Sequence, residues 1–189
     1  MTDIIEIRWH GRGGQGVKTA AEVLAEAAIR DGKYVQSFPE YGPERMGAPV
    51  LAFNRISGEK IDLHSNVYSP NHVVVLDPTL LDSMDVTEGL EDSGTLLVNT
   101  DQSPEEIRKK TGFKGGIQTV NATKIAREEI GRPIANTTTL GAFMAISGLT
   151  DLEHVKESVR THLGSKLSDK VIEANMRALE RAYKEARGE

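Results

Sequence analysis

Ile5, Ile7 and Trp9 alternate with Glu6, Arg8 and His10, the period of a strand with one apolar face. From Val17 the spacing changes. Val17, Ala20, Ala21, Leu24, Ala27 and Ala28 recur at i, i+3, i+4 and i+7, with Lys18, Glu22, Glu26 and Arg30 on the other side, so an amphipathic helix follows and Asp31-Gly32 ends it. Between the two periods lies Gly11-Arg12-Gly13-Gly14-Gln15-Gly16. Strand, glycine turn and helix are therefore expected in that order. Residues 34–38 read as a second strand and 50–56 as a third. Ser57-Gly58-Glu59-Lys60 reads as a tight turn, and 61–63 as a short antiparallel return that makes a hairpin at a sheet edge.

The later pattern is different. His72-Val73-Val74-Val75-Leu76 and Thr95-Leu96-Leu97-Val98 are unbroken apolar runs, as in strands buried on both faces of a parallel sheet. Residues 117–120 predict one more strand. Residues 79–89 read as a short helical turn, and Ser103-Pro104-Glu105-Glu106 places an N-cap, an N1 proline and early acids ahead of a helix to Lys110. Residues 122–130 form another helix, closed by Gly131-Arg132-Pro133. Asn136-Thr137-Thr138-Thr139 reads as the capped start of a helix that is apolar nearly all round through Ile146, and so is buried. Two amphipathic helices follow, with Leu152, Val155 and Val159 on one apolar face and Ile172, Met176, Leu179 and Tyr183 on the other. The alternation predicts one α/β domain over residues 1–189: a doubly wound, mostly parallel sheet with an edge hairpin and C-terminal helices. In such sheets ligands and partners gather outside the carboxyl ends of the strands.

Gly11, Gly13 and Gly16 fit G-x-G-x-x-G between a strand and a helix, where exposed N–H groups and the helix dipole favour an anion. A nicotinamide or flavin site would also want an acid ending the second strand, and none precedes Glu40. Val17 separates Gly16 from Lys18, which breaks the Walker phosphate-loop spacing. A packing turn, a phosphate of another ligand and a partner's backbone remain open for this stretch. The second unusual stretch is the run from Pro39 to Pro49, with three prolines and two glycines in eleven residues, too long for an ordinary connection. In it, Glu40, Glu44 and Arg45 read as a solvated ion-pair cluster; alternatively Tyr41 and Arg45 face a ligand or a partner.

Composition narrows the chemistry. A net charge of −5 with interspersed signs provides no basic stripe for nucleic acid. The absence of cysteine removes disulfides, thiolate nucleophiles, Cys-type zinc sites and iron–sulfur ligation. The five histidines make no metal or triad motif, and no thiamine-type Gly-Asp-Gly occurs. No catalytic residue and no metal ligand is assigned to this chain. The amino terminus has no signal-peptide pattern and the most apolar window, 140–149, is about half a bilayer span, so the cytoplasm is expected, with no membrane contact. These features fit a subunit better than a free enzyme.

His10 to Gly16, the run from Phe38 to Pro49 and residues 136–142 together resemble the gamma subunit of pyruvate:ferredoxin oxidoreductase and related 2-oxoacid:ferredoxin oxidoreductases, essentially end to end. Family members often carry Arg where this chain has Met46. The resemblance implies alpha and beta chains holding thiamine diphosphate and magnesium, and electron exit to ferredoxin through [4Fe-4S] clusters in a ferredoxin-like delta chain or in beta. It implies a gamma chain that helps close the coenzyme A site. The reaction implied is pyruvate, CoA and oxidised ferredoxin to acetyl-CoA, CO2 and reduced ferredoxin. On this reading Gly11, Arg12, Gly13, Gly14, Gln15 and Gly16, with Tyr41 and Arg45, lie near the CoA diphosphate or pantetheine. The competing expectations are a stand-alone Rossmann-like nucleotide-binding oxidoreductase and a non-catalytic scaffold domain.

Overall fold

A computed structural model describes residues 4–40, 46–164 and 167–189. The elements run β1 (Ile5–Arg12), α1 (Val17–Arg30), β2 (Tyr34–Glu40), β3 (Pro49–Ser57), β4 (His72–Val75), a 3₁₀ turn (Pro78–Asp82), β5 (Thr95–Asn99), α2 (Pro104–Thr111), β6 (Gly116–Val120), α3 (Ala122–Ile130), α4 (Asn136–Ser147), α5 (Leu152–Gly164) and α6 (Asp169–Arg187). They build one six-stranded sheet in the order β2-β3-β1-β4-β5-β6. β1, β4, β5 and β6 pair in parallel, while β3 runs antiparallel to both β1 and β2. β3 is thus the one reversed strand of the sheet.

The edge hairpin exists but uses other strands than expected. β2 and β3 pair from Tyr34↔Ser57 to Glu40↔Leu51, and residues 61–63 are not a strand. Both hydrogen-bonding edges of β3 are taken, by β1 and β2, so a strand returning from residue 57 has no edge left to join.

One face of the sheet carries the main core. Ile7 and Trp9 of β1, Ile56 of β3, Val74 of β4 and Leu97 of β5 share a buried cluster with α1 and the helices from α3 to α6. Each such side chain contributes roughly 1.5–3 kcal/mol on burial. Trp9 meets Phe143 edge-on at 5.3 Å, and its indole N–H donates to Asn54 Oδ1 at 2.8 Å. The Asn54 amide in turn donates to the Ala21 carbonyl at 3.0 Å, which ties β3 to α1. The expected solvent side of α1 is partly covered, because α5 lies along it: Arg30 donates to Ser158 and Glu157, each at 3.2 Å.

The helix expected to be buried is α4, in which every residue from Asn136 to Met144 is buried. A Cβ at Gly141 would collide with the Leu179 carbonyl of α6, so these two helices meet backbone to backbone. Asn136 is not the cap that its sequence suggests. Ala135 occupies the cap position, with no side-chain cap bond, and the Asn136 amide reaches instead toward the Gly16 carbonyl at 3.5 Å. On α5 and α6 the expected faces hold: Val155, Val159, Ile172, Met176 and Leu179 are buried, and Leu152 and Tyr183 pack partly buried against them.

Candidate functional site

The turn between β1 and α1 is shorter than the sequence suggested. Gly11 and Arg12 still belong to β1, facing Val50 and Pro49 of β3, so only Gly13 to Gly16 makes the turn. Three of the glycines have separate reasons. A Cβ at Gly11 would overlap the Val17 side chain, and one at Gly16 would overlap the Asn136 amide. Gly16 also opens α1 with φ 78 and no side-chain cap, a backbone state costly for other residues. Gly14 differs: its φ is +90 and a Cβ there would meet nothing within 4 Å. Packing explains Gly11 and Gly16, while Gly14 faces open space among the described residues.

The helices assigned to the two sheet faces locate the crevice. α1, after β1, packs on the main-core face; the 3₁₀ turn after β4 places Leu80 in the cluster on the opposite face. The carboxyl ends of β1 and β4 are therefore a topological switch point, where an open α/β sheet leaves room for a ligand. In this chain its own side chains fill that place. Gln15 Oε1 accepts from the Arg12 backbone N–H at 2.7 Å, and Gln15 Nε2 donates to Asp77 Oδ2 at 2.6 Å. Arg12 Nε lies 3.3 Å from the same carboxylate oxygen, and Arg12 Nη2 donates to Thr79 Oγ1 at 2.9 Å. Thr79 closes the ring, giving Asp77 Oδ1 its hydroxyl at 2.6 Å and its backbone N–H at 3.0 Å. Burial pushes against ionisation of Asp77, but the bonds from Thr79 and Gln15 and the Arg12 charge outweigh it and hold its pKa below the usual carboxylate range.

The same turn is fastened to the end of the proline-rich stretch. Gly13 N–H donates to the Ala48 carbonyl at 2.9 Å, Gly47 N–H to the Gly13 carbonyl at 3.3 Å, and Arg12 Nη1 to the Gly47 carbonyl at 3.1 Å. Met46, just beyond this strap, is 94% exposed. Tyr41 and Arg45 lie outside the described residues. Of the candidates, the structure brings Arg12, Gln15 and the glycines together. Arg12 is engaged with Asp77, Thr79 and Gly47, so its guanidinium is not a free anion clamp. The groups left without an internal partner by helix geometry are the N–H groups of the first turn of α1, beside the open face of Gly14.

Sequence reading missed Asp77 and Thr79. Asp77-Pro78 closes the apolar run from His72 to Leu76, but nothing local says that its carboxylate meets Gln15. A smaller cleft of about 110 Å³ lies on the main-core side of the turn, lined by Gly14, Gln15, Leu76, Asn99, Thr123 and Asn136, among others. Its polar wall is satisfied: Asn99 donates to the Leu76 carbonyl at 2.9 Å and to Thr123 at 2.8 Å, and accepts the Thr123 N–H at 3.1 Å.

The residues present do not suit every group that such a sheet could hold. Without cysteine the chain cannot ligate an iron–sulfur cluster as thiolate, and among the described residues no group of three His, Asp or Glu side chains could hold a metal ion. A nucleotide in the dinucleotide-fold manner would have to displace the Gln15–Asp77–Arg12 ring. A phosphate approaching Gly14 from outside would not. Among the described residues no helix is long and apolar enough to cross a membrane.

Comparison with known proteins gives a consistent picture. The family described as pyruvate ferredoxin/flavodoxin oxidoreductase matches residues 6–185. Pyruvate synthase subunit PorC of Thermotoga maritima is 53% identical over 182 residues, 96% of this chain and 94% of that protein. The pyruvate/ketoisovalerate oxidoreductases common subunit gamma of Thermococcus kodakarensis is 50% identical over 181 residues, 95% of this chain and 96% of that protein. The crystal structure of the Thermotoga maritima subunit superposes with a TM-score of 0.85 at 49% identity, over 96% of each chain. A 2-oxoglutarate:ferredoxin oxidoreductase from Magnetococcus marinus shares the fold, with a TM-score of 0.81 at 18% identity; the match spans all of this chain and 32% of that one.

Proposed function

Because the chain belongs to the pyruvate ferredoxin/flavodoxin oxidoreductase family, as a gamma-type subunit, we propose that it works as a single-domain cytoplasmic partner of alpha, beta and ferredoxin-like delta chains. The assembled complex converts pyruvate, or another 2-oxoacid, with CoA and oxidised ferredoxin into acyl-CoA, CO2 and reduced ferredoxin. Thiamine diphosphate with magnesium supplies the decarboxylation, and [4Fe-4S] clusters carry the electrons; both reside in the partner chains, in keeping with a subunit that has no cysteine. The isolated chain is inactive on this reading.

Its own contribution is a rigid anion-facing lip. Gly14 and the free N–H groups at the start of α1 turn positive backbone charge outward at the carboxyl edge of the sheet, and the CoA diphosphate is the anion they face. Tyr41 and Arg45, on the adjoining stretch, add an aromatic contact and a positive charge. The observation that carries this reading is the division of three of the glycines: Gly11 and Gly16 are required by packing, and a Cβ at Gly14, near the helix start, would meet nothing within 4 Å among the described residues. The filled switch-point crevice speaks against the stand-alone nucleotide-binding reading.

The test compares Gly14→Asp with Gly14→Asn in the complex reconstituted with its partner subunits. Both side chains suit a left-handed turn about equally, so their difference isolates a negative charge placed before the donors. The KM for CoA is expected to be roughly tenfold higher for the aspartate variant, a change equal to about 1.4 kcal/mol. Equal KM values for the two variants in a normally assembled complex would show that the lip only docks the subunit.

A further inference from the structure

Resting on the reading that the Gly14 lip faces CoA, we infer that Asp77 is a positioning residue for that lip, acting through Gln15 and Arg12 rather than by touching the ligand. The geometry is a single carboxylate spanning the switch-point crevice. One of its oxygens is held at the β4 side by the Thr79 hydroxyl and N–H, at 2.6 and 3.0 Å. The other receives Gln15 Nε2 at 2.6 Å and faces Arg12 Nε at 3.3 Å from the β1 side.

Each of these partners passes the restraint to the turn. Gln15 Oε1 accepts the Arg12 backbone N–H at 2.7 Å, and the Gln15 backbone N–H donates to the Arg12 carbonyl at 3.0 Å. Residues 12 and 15 are thereby clamped across Gly13 and Gly14. Arg12 carries the restraint further, to the Gly47 carbonyl at 3.1 Å, and the Gly13–Ala48 and Gly47–Gly13 bonds complete the strap. The turn, the strap and the start of the 3₁₀ turn therefore form one body, in which the Asp77 carboxylate is the group that Gln15, Arg12 and Thr79 share. Four glycines in six positions would otherwise leave this segment the most conformationally free of the edge. A binding lip of backbone donors works only when its N–H groups are held in place before the ligand arrives. An alanine at position 77 removes the partner that Gln15 Nε2 and Arg12 Nε share and leaves Arg12 only its Thr79 and Gly47 bonds among the described residues, whereas an asparagine keeps the Thr79 contacts and loses the charge.

The experiment measures the KM and kcat of the reconstituted complex carrying Asp77→Ala, Asp77→Asn, Arg12→Ala or the Asp77→Ala/Arg12→Ala pair. Hydrogen exchange of residues 13–17 is followed in the same assembled samples. Asp77→Ala is expected to raise the KM for CoA about tenfold, with a smaller effect on kcat and on the KM for the 2-oxoacid, and to speed exchange in the turn but not in α6. Asp77→Asn is expected to fall between wild type and alanine. The double variant is expected to be no worse than the single ones, because all act on one body. A structural defect elsewhere would lower kcat and assembly without selecting CoA. If Gly14→Asp raises the KM for CoA but Asp77→Ala and Asp77→Asn leave it and the turn exchange at wild-type values, the positioning role is overturned and the lip survives. If neither Gly14→Asp nor the Asp77 variants move the KM for CoA, the lip reading and this inference both fall. Should Asp77→Ala not assemble, Asp77→Asn with wild-type exchange in residues 13–17 is sufficient to overturn the inference.

Discussion

The face of the sheet opposite the main core is closed in two different ways. Over β4, β5 and β6 it is covered by apolar side chains: Val73, Val75, Leu96, Val98 and Ile117 meet Leu80, Val86, Ile107 and Phe113. Over β1, β2 and β3 it is covered by buried arginines. Arg55, 1% exposed, lies between Glu6 Oε1 at 2.7 Å, Gln36 Oε1 at 3.2 Å and the Asn66 carbonyl at 3.1 Å. Its guanidinium also sits over the Phe38 ring, 5.7 Å from the centroid. Arg8 donates to the carbonyls of Val86 and Glu88 at 3.0 and 2.6 Å, and to His10 Nε2 at 3.0 Å.

The cover explains the difference. α2 satisfies most of its own backbone polar groups and presents Ile107, so hydrophobic strands suffice beneath it. Residues 58–71 and 83–94 contain no helix or strand, and carbonyls such as those of Asn66, Val86 and Glu88 take donors from below. A guanidinium supplies several donors from one side chain. The alternation in β1 predicted one apolar face, and its polar face is nevertheless dry: Arg8 and His10 are buried. It is dry because it serves as the fastening layer for irregular chain.

The largest effect should come from breaking the polar layer. Arg55→Ala leaves Glu6, Gln36 and the Asn66 carbonyl without their shared partner and is expected to cost about 4 kcal/mol in urea unfolding. Adding Glu6→Gln to an Arg55→Met variant should restore much of that loss, since the pair is then removed together. Next, the apolar half should answer to volume alone. Leu96→Ala is expected to cost about 3 kcal/mol with no change in pH dependence.

The smallest of the three effects separates the halves by pH. His10 is 2% exposed, and burial, with the neighbouring Arg8 charge, pushes its pKa down to about 3. Its Nδ1 has no partner among the described residues. The folded pKa lies below the unfolded value near 6.5, so between those values the unfolded chain binds the extra proton and stability falls as pH falls. Acidifying from pH 7 to pH 5 is expected to cost about 2 kcal/mol through this residue. His10→Gln should flatten that slope, whereas an unchanged slope would place the acid sensitivity in other groups. His72, whose pKa is lowered by burial against Phe143, titrates in the same direction and is the first of those to examine.

Much of this architecture is written locally. Periods of 2 and 3.6 marked the strands and helices, the Ser103 N-cap and Pro104 marked α2, where the structure closes a capping box with Glu106, and the G-x-G-x-x-G spacing marked the entry from β1 to α1. The missing cysteines already argued for a subunit, but the second strand runs two residues beyond the expected 34–38 and does end on an acid, Glu40, which β3 separates from β1. What local pattern could not hold was pairing at a distance. Val50 to Ile56 is a strand by any reading, but that it runs backwards between β1 and β2 depends on residues 11 to 51 positions away, and for that reason the hairpin was assigned to the wrong return.

The glycine turn divides in the same way. The sequence alone determined that a flexible, donor-rich turn joins β1 to α1, because only glycine tolerates such backbone. Which glycine is required by packing and which stands free was decided by Val17 and Asn136, brought against Gly11 and Gly16 by the fold. The filling of the crevice was decided by Asp77, 62 residues from Gln15 in sequence. Periodicity reports which face of an element leaves water; it carries no information about what that face meets, since the contact exists only after loops have closed and the chain has paid their entropy.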